Sequence, residues 1–161
     1  MKHGTASTPA TVALNAAGIR FTSHPYQHDD SVTSFGPEAA KALNLEAARV
    51  FKTLLADVDG RLVVGIVPVT GKLDLKALAA AVGGRKAAMA DPALAERKTG
   101  YLIGGISPIG QKSRHETVLD ETAELYDTIF VSGGRRGFDI ELAPTELITI
   151  TSAIVADIAR S

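Results

Sequence analysis

Val50-Phe51-Lys52-Thr53-Leu54-Leu55-Ala56-Asp57-Val58-Asp59-Gly60-Arg61-Leu62-Val63-Val64-Gly65-Ile66-Val67-Pro68-Val69 decides the fold class. Two apolar runs, Val50–Asp57 and Leu62–Val69, flank Asp59-Gly60. That dipeptide tolerates the positive φ angles of a tight hairpin, so the runs read as antiparallel strands. Lys52 stands out among its apolar neighbours. One reading lays its stem along the sheet with the ammonium in solvent. The other makes it a fixed cation in a pocket wall. Local sequence leaves both open.

Helices and strands interleave on either side. Thr8-Pro9 reads as N-cap and first helical residue, with a helix to about Ala17 and Gly18 as its stop. Val12, Leu14 and Ala16 are its candidates for burial. Ile19–His24 alternates and reads as a strand, Tyr26–Asp30 as a polar loop, and Ser34–Asn44 as a second helix. Past the hairpin, Asp74 can cap a helix over Leu75–Val82, Lys86–Met89 is a short strand, and Asp91-Pro92 opens a helix through Lys98. Thr117–Asp120 reads as a strand, followed by an acidic turn over Glu121–Leu125. Thr128–Ser132 and Phe138–Leu142 form a second hairpin around Gly133-Gly134-Arg135-Arg136-Gly137. Phe138, Ile140 and Leu142 share one face there, which leaves Asp139 and Glu141 on the other, free to face a cleft. Pro144-Thr145-Glu146 starts a last helix, and Ile154–Ala159 is either a strand or its continuation. The pattern predicts a mixed, largely antiparallel α/β sheet, rolled into a partial barrel with helices outside. Residues 1–7 read as a loose end and 8–161 as a single domain.

Composition excludes several functions. The net charge is −1, so no global basic field exists, and any nucleic-acid contact must be local, weak or shared with a partner. The chain has no Cys, which removes a thiol nucleophile, a Cys-ligated metal and a disulfide framework. The four histidines His3, His24, His28 and His115 make no metal motif, because Pro25 breaks any helix through the i, i+4 pair His24/His28. No apolar run reaches membrane-spanning length, and the N-terminal residues lack the apolar core of a signal peptide. A soluble cytoplasmic protein without metal or cofactor is the expectation.

Two glycine-rich stretches carry what chemistry remains. Thr99–Lys112 packs four glycines and one proline into an apolar segment. Gly104-Gly105 lets a ligand approach the main chain, and Pro108 stiffens the loop. Such a loop can act as an anion nest or oxyanion hole, or be an ordinary glycine turn. Gly133–Gly137 offers two guanidiniums suited to phosphate, or is a solvated hairpin tip. Neither a G-x-S-x-G elbow nor a Walker loop is present. The inventory describes a binding cleft without an obvious protein nucleophile, with Tyr26 and Asp139 as isolated polar candidates.

Four blocks resemble the YbaK/EbsC family of Cys-tRNA(Pro) deacylases, free-standing relatives of the prolyl-tRNA synthetase editing (insertion) domain. They are Phe51–Leu55, Pro68–Lys76, the Thr99–Lys112 loop and Val131–Leu142, in the family's order and spacing. The resemblance runs from about Thr8 to Arg160, with no departure at a motif position. It implies trans-editing hydrolysis of Cys mischarged onto proline tRNA, alongside prolyl-tRNA synthetase and with no metal. It implies that Lys52 holds the terminal adenosine or its phosphate, and that Gly104, Gly105, Ile106, Ser107 and Pro108 line the aminoacyl pocket. Tyr26, Phe35, Thr53, Ser132 and Asp139 would border that pocket, with Lys52, Gly104 and Asp139 the catalytic candidates. Gly133 and Arg136 of the hairpin would contact substrate. The implied chemistry is substrate-assisted, the cysteine thiol attacking its own ester. An Ala-tRNA(Pro) deacylase and a non-catalytic aminoacyl-tRNA or nucleotide-binding module are the alternatives.

Overall fold

The computed structural model describes residues 7–28 and 35–161; of Phe35 and Gly36 it describes the backbone alone. Helix α1 (Pro9–Ala16) begins where its cap chemistry dictates. The Thr8 hydroxyl accepts from Thr11 N–H and the Thr11 hydroxyl accepts from Thr8 N–H, a reciprocal capping box. The Thr8 hydroxyl also contacts the Gly133 carbonyl at 2.6 Å, tying the helix start to a distant hairpin. Of the three residues expected to be buried in α1, only Leu14 is; Val12 and Ala16 face solvent while Ala10 and Thr11 turn inward. The core-facing stripe of this short helix is therefore set by where it leans, not by its most apolar residue.

Strands β2 (Phe51–Val58) and β3 (Arg61–Pro68) form the expected hairpin, in register Phe51↔Pro68 to Val58↔Arg61. Asp59 and Gly60 both take positive φ at its turn. β5 (Ala87–Met89) joins the outer edge of β2. On the other side β6 (Glu116–Asp120) and β9 (Ile154–Ala156) add in parallel, giving the order β5-β2-β3-β6-β9. A second sheet holds β1 (Thr22–Pro25), β8 (Phe138–Leu142) and β7 (Ile129–Arg135) in the order β1-β8-β7. β4 (Lys72–Leu73) pairs with β10 (Ala159–Arg160). The C-terminal stretch is thus strand, not helix continuation. Among the described residues a single parallel bridge, Val50↔Phe130, links the two larger sheets, so the barrel is partial and open.

The five-stranded sheet is covered on both faces. Between the sheets lie Phe51, Leu55, Ile66, Leu119, Val131, Phe138 and Ile140, closed over by α1 and by α5 (Pro144–Thr151). Behind it, Val58, Val67 and Val118 pack on α3 (Leu75–Ala81), which Asp74 caps through Ala77 N–H. Burial on two faces explains the near-continuous apolar run in β3. Each large aliphatic side chain so buried contributes roughly 1.5–3 kcal/mol. Asp120 is a buried exception, and its carboxylate accepts from Ile158 N–H, Ala159 N–H and Thr122 N–H, which fixes the C-terminal strands. No described helix is long and apolar enough to cross a membrane.

Candidate active site

Among the described residues, part of the hairpin's outer edge is left uncovered. β5 pairs with β2 only from Ala56 to Val58, and Ala90 N–H then bonds the Leu55 carbonyl at 3.0 Å. In an antiparallel ladder, alternate residues point their main-chain groups to the same side. Thr53 and Phe51 therefore turn their N–H and C=O outward, as Leu55 does, beyond the end of β5. That unpaired edge forms one wall of a cavity of about 510 Å³. α4 (Pro92–Thr99) supplies Pro92 and Ala95, and the following loop supplies Ile103, Gly104 and Ile106. Tyr26, Ser132 and Asp139 come from the second sheet.

Lys52 lines this cavity and is half-buried. Burial first, and then the nearby Lys72 ammonium, pull its pKa below the usual lysine value. Among the described residues it meets no carboxylate within salt-bridge distance. A partly desolvated cation without an anion is costly, and a phosphate or carboxylate guest would relieve it. Beside it the Thr53 hydroxyl is buried with no hydrogen-bond partner among the described residues. A buried unpaired hydroxyl in a pocket wall is a polar handle for a ligand.

Asp139 sits opposite His24 on one side and Ser132 on the other. It is 6% exposed, and burial pushes its carboxyl up to about 7. Burial and the neighbouring Asp139 charge together push the Tyr26 phenol up to about 12. Folded Asp139 keeps a proton that the unfolded chain gives up near the ordinary value of 3.8. Stability is therefore undiminished below that value, falls as the pH rises towards 7, and stays reduced above it. A shift of this size corresponds to roughly 4 kcal/mol at most. Asp139→Asn should melt close to wild type at pH 4 and several degrees above it at pH 8. An equal difference in melting temperature at the two pH values would contradict a buried, proton-holding carboxyl.

Other predicted site residues separate into two groups. Lys52, Tyr26, Thr53, Gly104, Ile106, Ser132 and Asp139 meet at the cavity. Gly105, Ser107, Pro108, Gly133 and Arg136 do not line it, and each has another task. A Cβ on Gly105 would fall 2.7 Å from the Arg135 Cα, so this glycine lets the loop press on the hairpin backbone. Ser107 is fully buried, and its hydroxyl accepts from Ile109 N–H. Pro108 lines a different pocket. Gly133 makes room for the Phe138 ring, 2.4 Å from where its Cβ would be. Arg136 is exposed and its Nε–H bonds the Ile103 carbonyl at 2.8 Å, so it braces the cavity loop from outside. The Gly133–Gly137 segment is not the free loop its composition suggests: β7 runs on to Arg135 through a register shift after Ser132, leaving a tight turn. The Phe35 side chain lies outside the described residues, as do Asp29 and Asp30 of the expected polar loop. Sequence reading missed the apolar lining, Val50, Val69, Met89, Pro92, Ala95 and Ile103, because such residues carry no signal that separates pocket wall from core.

This fold and cavity define a class. The chain belongs to the aminoacyl-tRNA editing domain family, whose profile matches residues 30–150. It is 43% identical over 121 residues to an inferred Cys-tRNA(Pro)/Cys-tRNA(Cys) deacylase, EbsC, of Enterococcus faecalis (strain ATCC 700802 / V583). That match spans 74% of this chain and 73% of the relative. The crystal structure of an inferred trans-editing enzyme for prolyl-tRNA synthetase superposes with a TM-score of 0.81 at 27% identity, covering 98% of this chain and 100% of that one. A hypothetical protein, APE2540, has a TM-score of 0.85 at 23% identity over 95% of this chain and 100% of that one, and shares the fold.

Proposed function

We propose that the protein hydrolyses cysteine mischarged onto proline tRNA. The observation that supports this best is a cavity with a half-buried, anion-seeking Lys52, free main-chain edge and no histidine among its described lining residues. An aminoacyl ester needs positioning and oxyanion stabilisation more than a protein nucleophile. Lys52 would take a phosphate of the acceptor end. Thr53 would hold the aminoacyl group through its hydroxyl and main chain. The Gly105 N–H is spent on the Leu102 carbonyl, so the oxyanion donors must come from Gly104, Ile106 or the β2 edge.

The cysteine thiol loses its proton to Asp139, whose value near 7 suits proton transfer at neutral pH. Sulfur then attacks the ester carbon, the bond to the ribose oxygen breaks, and that oxygen takes the proton back. The product is free tRNA and a cyclic thioester, which water opens to cysteine. A thiol with a pKa near ~8.5 supplies thiolate at neutral pH where an alcohol does not.

The near-neutral chain suits a division of labour in which prolyl-tRNA synthetase holds the tRNA body. The test is release of cysteine from Cys-tRNA(Pro) by purified protein, with and without that synthetase. Turnover in both, raised by the synthetase, is the expected result. No release at stoichiometric protein would leave a binding module on this fold.

A further inference from the structure

The loop that walls the active-site cavity continues into a second one. Ile103, Gly104 and Ile106 face the first, while Pro108 to His115 line a separate pocket of about 300 Å³. Its described lining holds Lys112, Arg114 and His115 and no carboxylate. Glu116, next in sequence, is turned to Arg61 at 2.8 Å. Lys98, at the end of α4, lies near enough for its charge to act on His115.

These groups are held in place. The Gln111 carbonyl oxygen accepts from His115 Nδ1–H at 2.8 Å, so Nε2 is the acceptor of the neutral ring that burial and the Lys98 charge favour. Nε2 donates to an anionic guest only when the guest's charge brings the ring its second proton. The Gln111 amide donates to the Ser107 carbonyl at 2.9 Å. Arg114 is oriented by the Ser152 hydroxyl at 3.1 Å. Two helices end at this pocket, and main-chain N–H groups take some of their terminal carbonyls: Lys112 N–H bonds Thr99, Ser113 N–H bonds Lys98, and Ala153 N–H bonds Ile148. The cationic side chains of Lys112 and Lys98 are not used as caps and meet no carboxylate among the described residues.

We propose that this pocket is a phosphate-binding subsite formed by Lys112, Arg114 and His115, separate from the active-site cavity. Phosphate geometry matches a guanidinium fork, an ammonium and an imidazole on one concave surface. The phosphate comes either from the backbone of a bound RNA or from a free phosphate compound. The RNA source rests on the editing function proposed above; phosphate binding itself does not.

The first readout is the His115 imidazole NMR signal during titration with inorganic phosphate, with His24 and His28 as internal controls. A saturable shift of His115 alone, lost in Lys112→Glu/Arg114→Glu, is the expected result. Both substituted side chains are exposed, so the variant should keep its melting temperature. The second readout is deacylation of full-length Cys-tRNA(Pro) against a short cysteinylated acceptor-end RNA. An RNA source predicts a loss of about tenfold in kcat/KM on the full tRNA only, with a salt dependence shallower by about one to two phosphate contacts. A His115 shift with unchanged kinetics assigns a free phosphate compound as the source. No phosphate-induced shift and unchanged tRNA kinetics would overturn the subsite and leave cations that merely offset two helix ends.

Discussion

Lys52→Ala should reduce cysteine release at least a hundredfold while the protein stays folded. The side chain stands at the edge of β2, half-buried, with Lys72 as its charged neighbour and no carboxylate partner among the described residues. Losing it removes a repulsion and some desolvation from the fold, so stability should hold or rise slightly. What disappears is the one cation among the described lining residues that could hold the acceptor end in the cavity. A correctly placed charged contact in a partly dry site contributes several kcal/mol to transition-state binding, and a hundredfold loss needs only about 2.7 kcal/mol. The measurement is single-turnover release of cysteine, with a melting curve on the same sample. Near wild-type turnover in a folded variant would remove Lys52 from the site.

Much of the frame was legible because it rests on local chemistry. Thr8-Pro9, Asp74 and Asp91-Pro92 each start a helix where cap and proline rules place them. Asp59-Gly60 turns the central hairpin as expected, and the structure supplies its register. Parallel additions to the sheet were not legible. The β3–β6 and β6–β9 pairs join segments tens of residues apart, and no turn residue announces them. The arginine-bearing hairpin is present as expected, but its loop is shorter than the sequence suggests, for a related reason. Glycines there look like loop, yet Gly133 is small so that Phe138 can pack beneath it inside a bulged strand.

The site divides along the same line. Lys52 was visible as a charge out of place, and Asp139 as the polar alternate of an apolar strand. Their meeting with Tyr26 and Ser132 depends on the second sheet closing against β2, which only tertiary structure supplies. Gly104 was chosen for close approach of substrate to the main chain. The structure adds a second reason, a φ of 89° that an L side chain rarely adopts. Ser107 and Pro108 were grouped with the pocket by the family resemblance, and Arg136 by its guanidinium. They support the loop instead, and Pro108 points the way to the second cavity.

The largest effect expected of the whole account is the dependence on a substrate thiol. The cavity's apolar wall distinguishes amino acids of similar size poorly, by about 10- to 200-fold per methylene. Chemistry distinguishes them better, because cysteine brings its own nucleophile, serine brings a hydroxyl that hardly ionises and alanine brings none. The most direct measurement is the rate of amino-acid release from Cys-, Ser- and Ala-tRNA(Pro), side by side, under single-turnover conditions. Rapid loss of cysteine with serine and alanine retained is the result predicted here. Release of alanine at a rate equal to or above that of cysteine would contradict it, and would put an attacking water in place of the thiol.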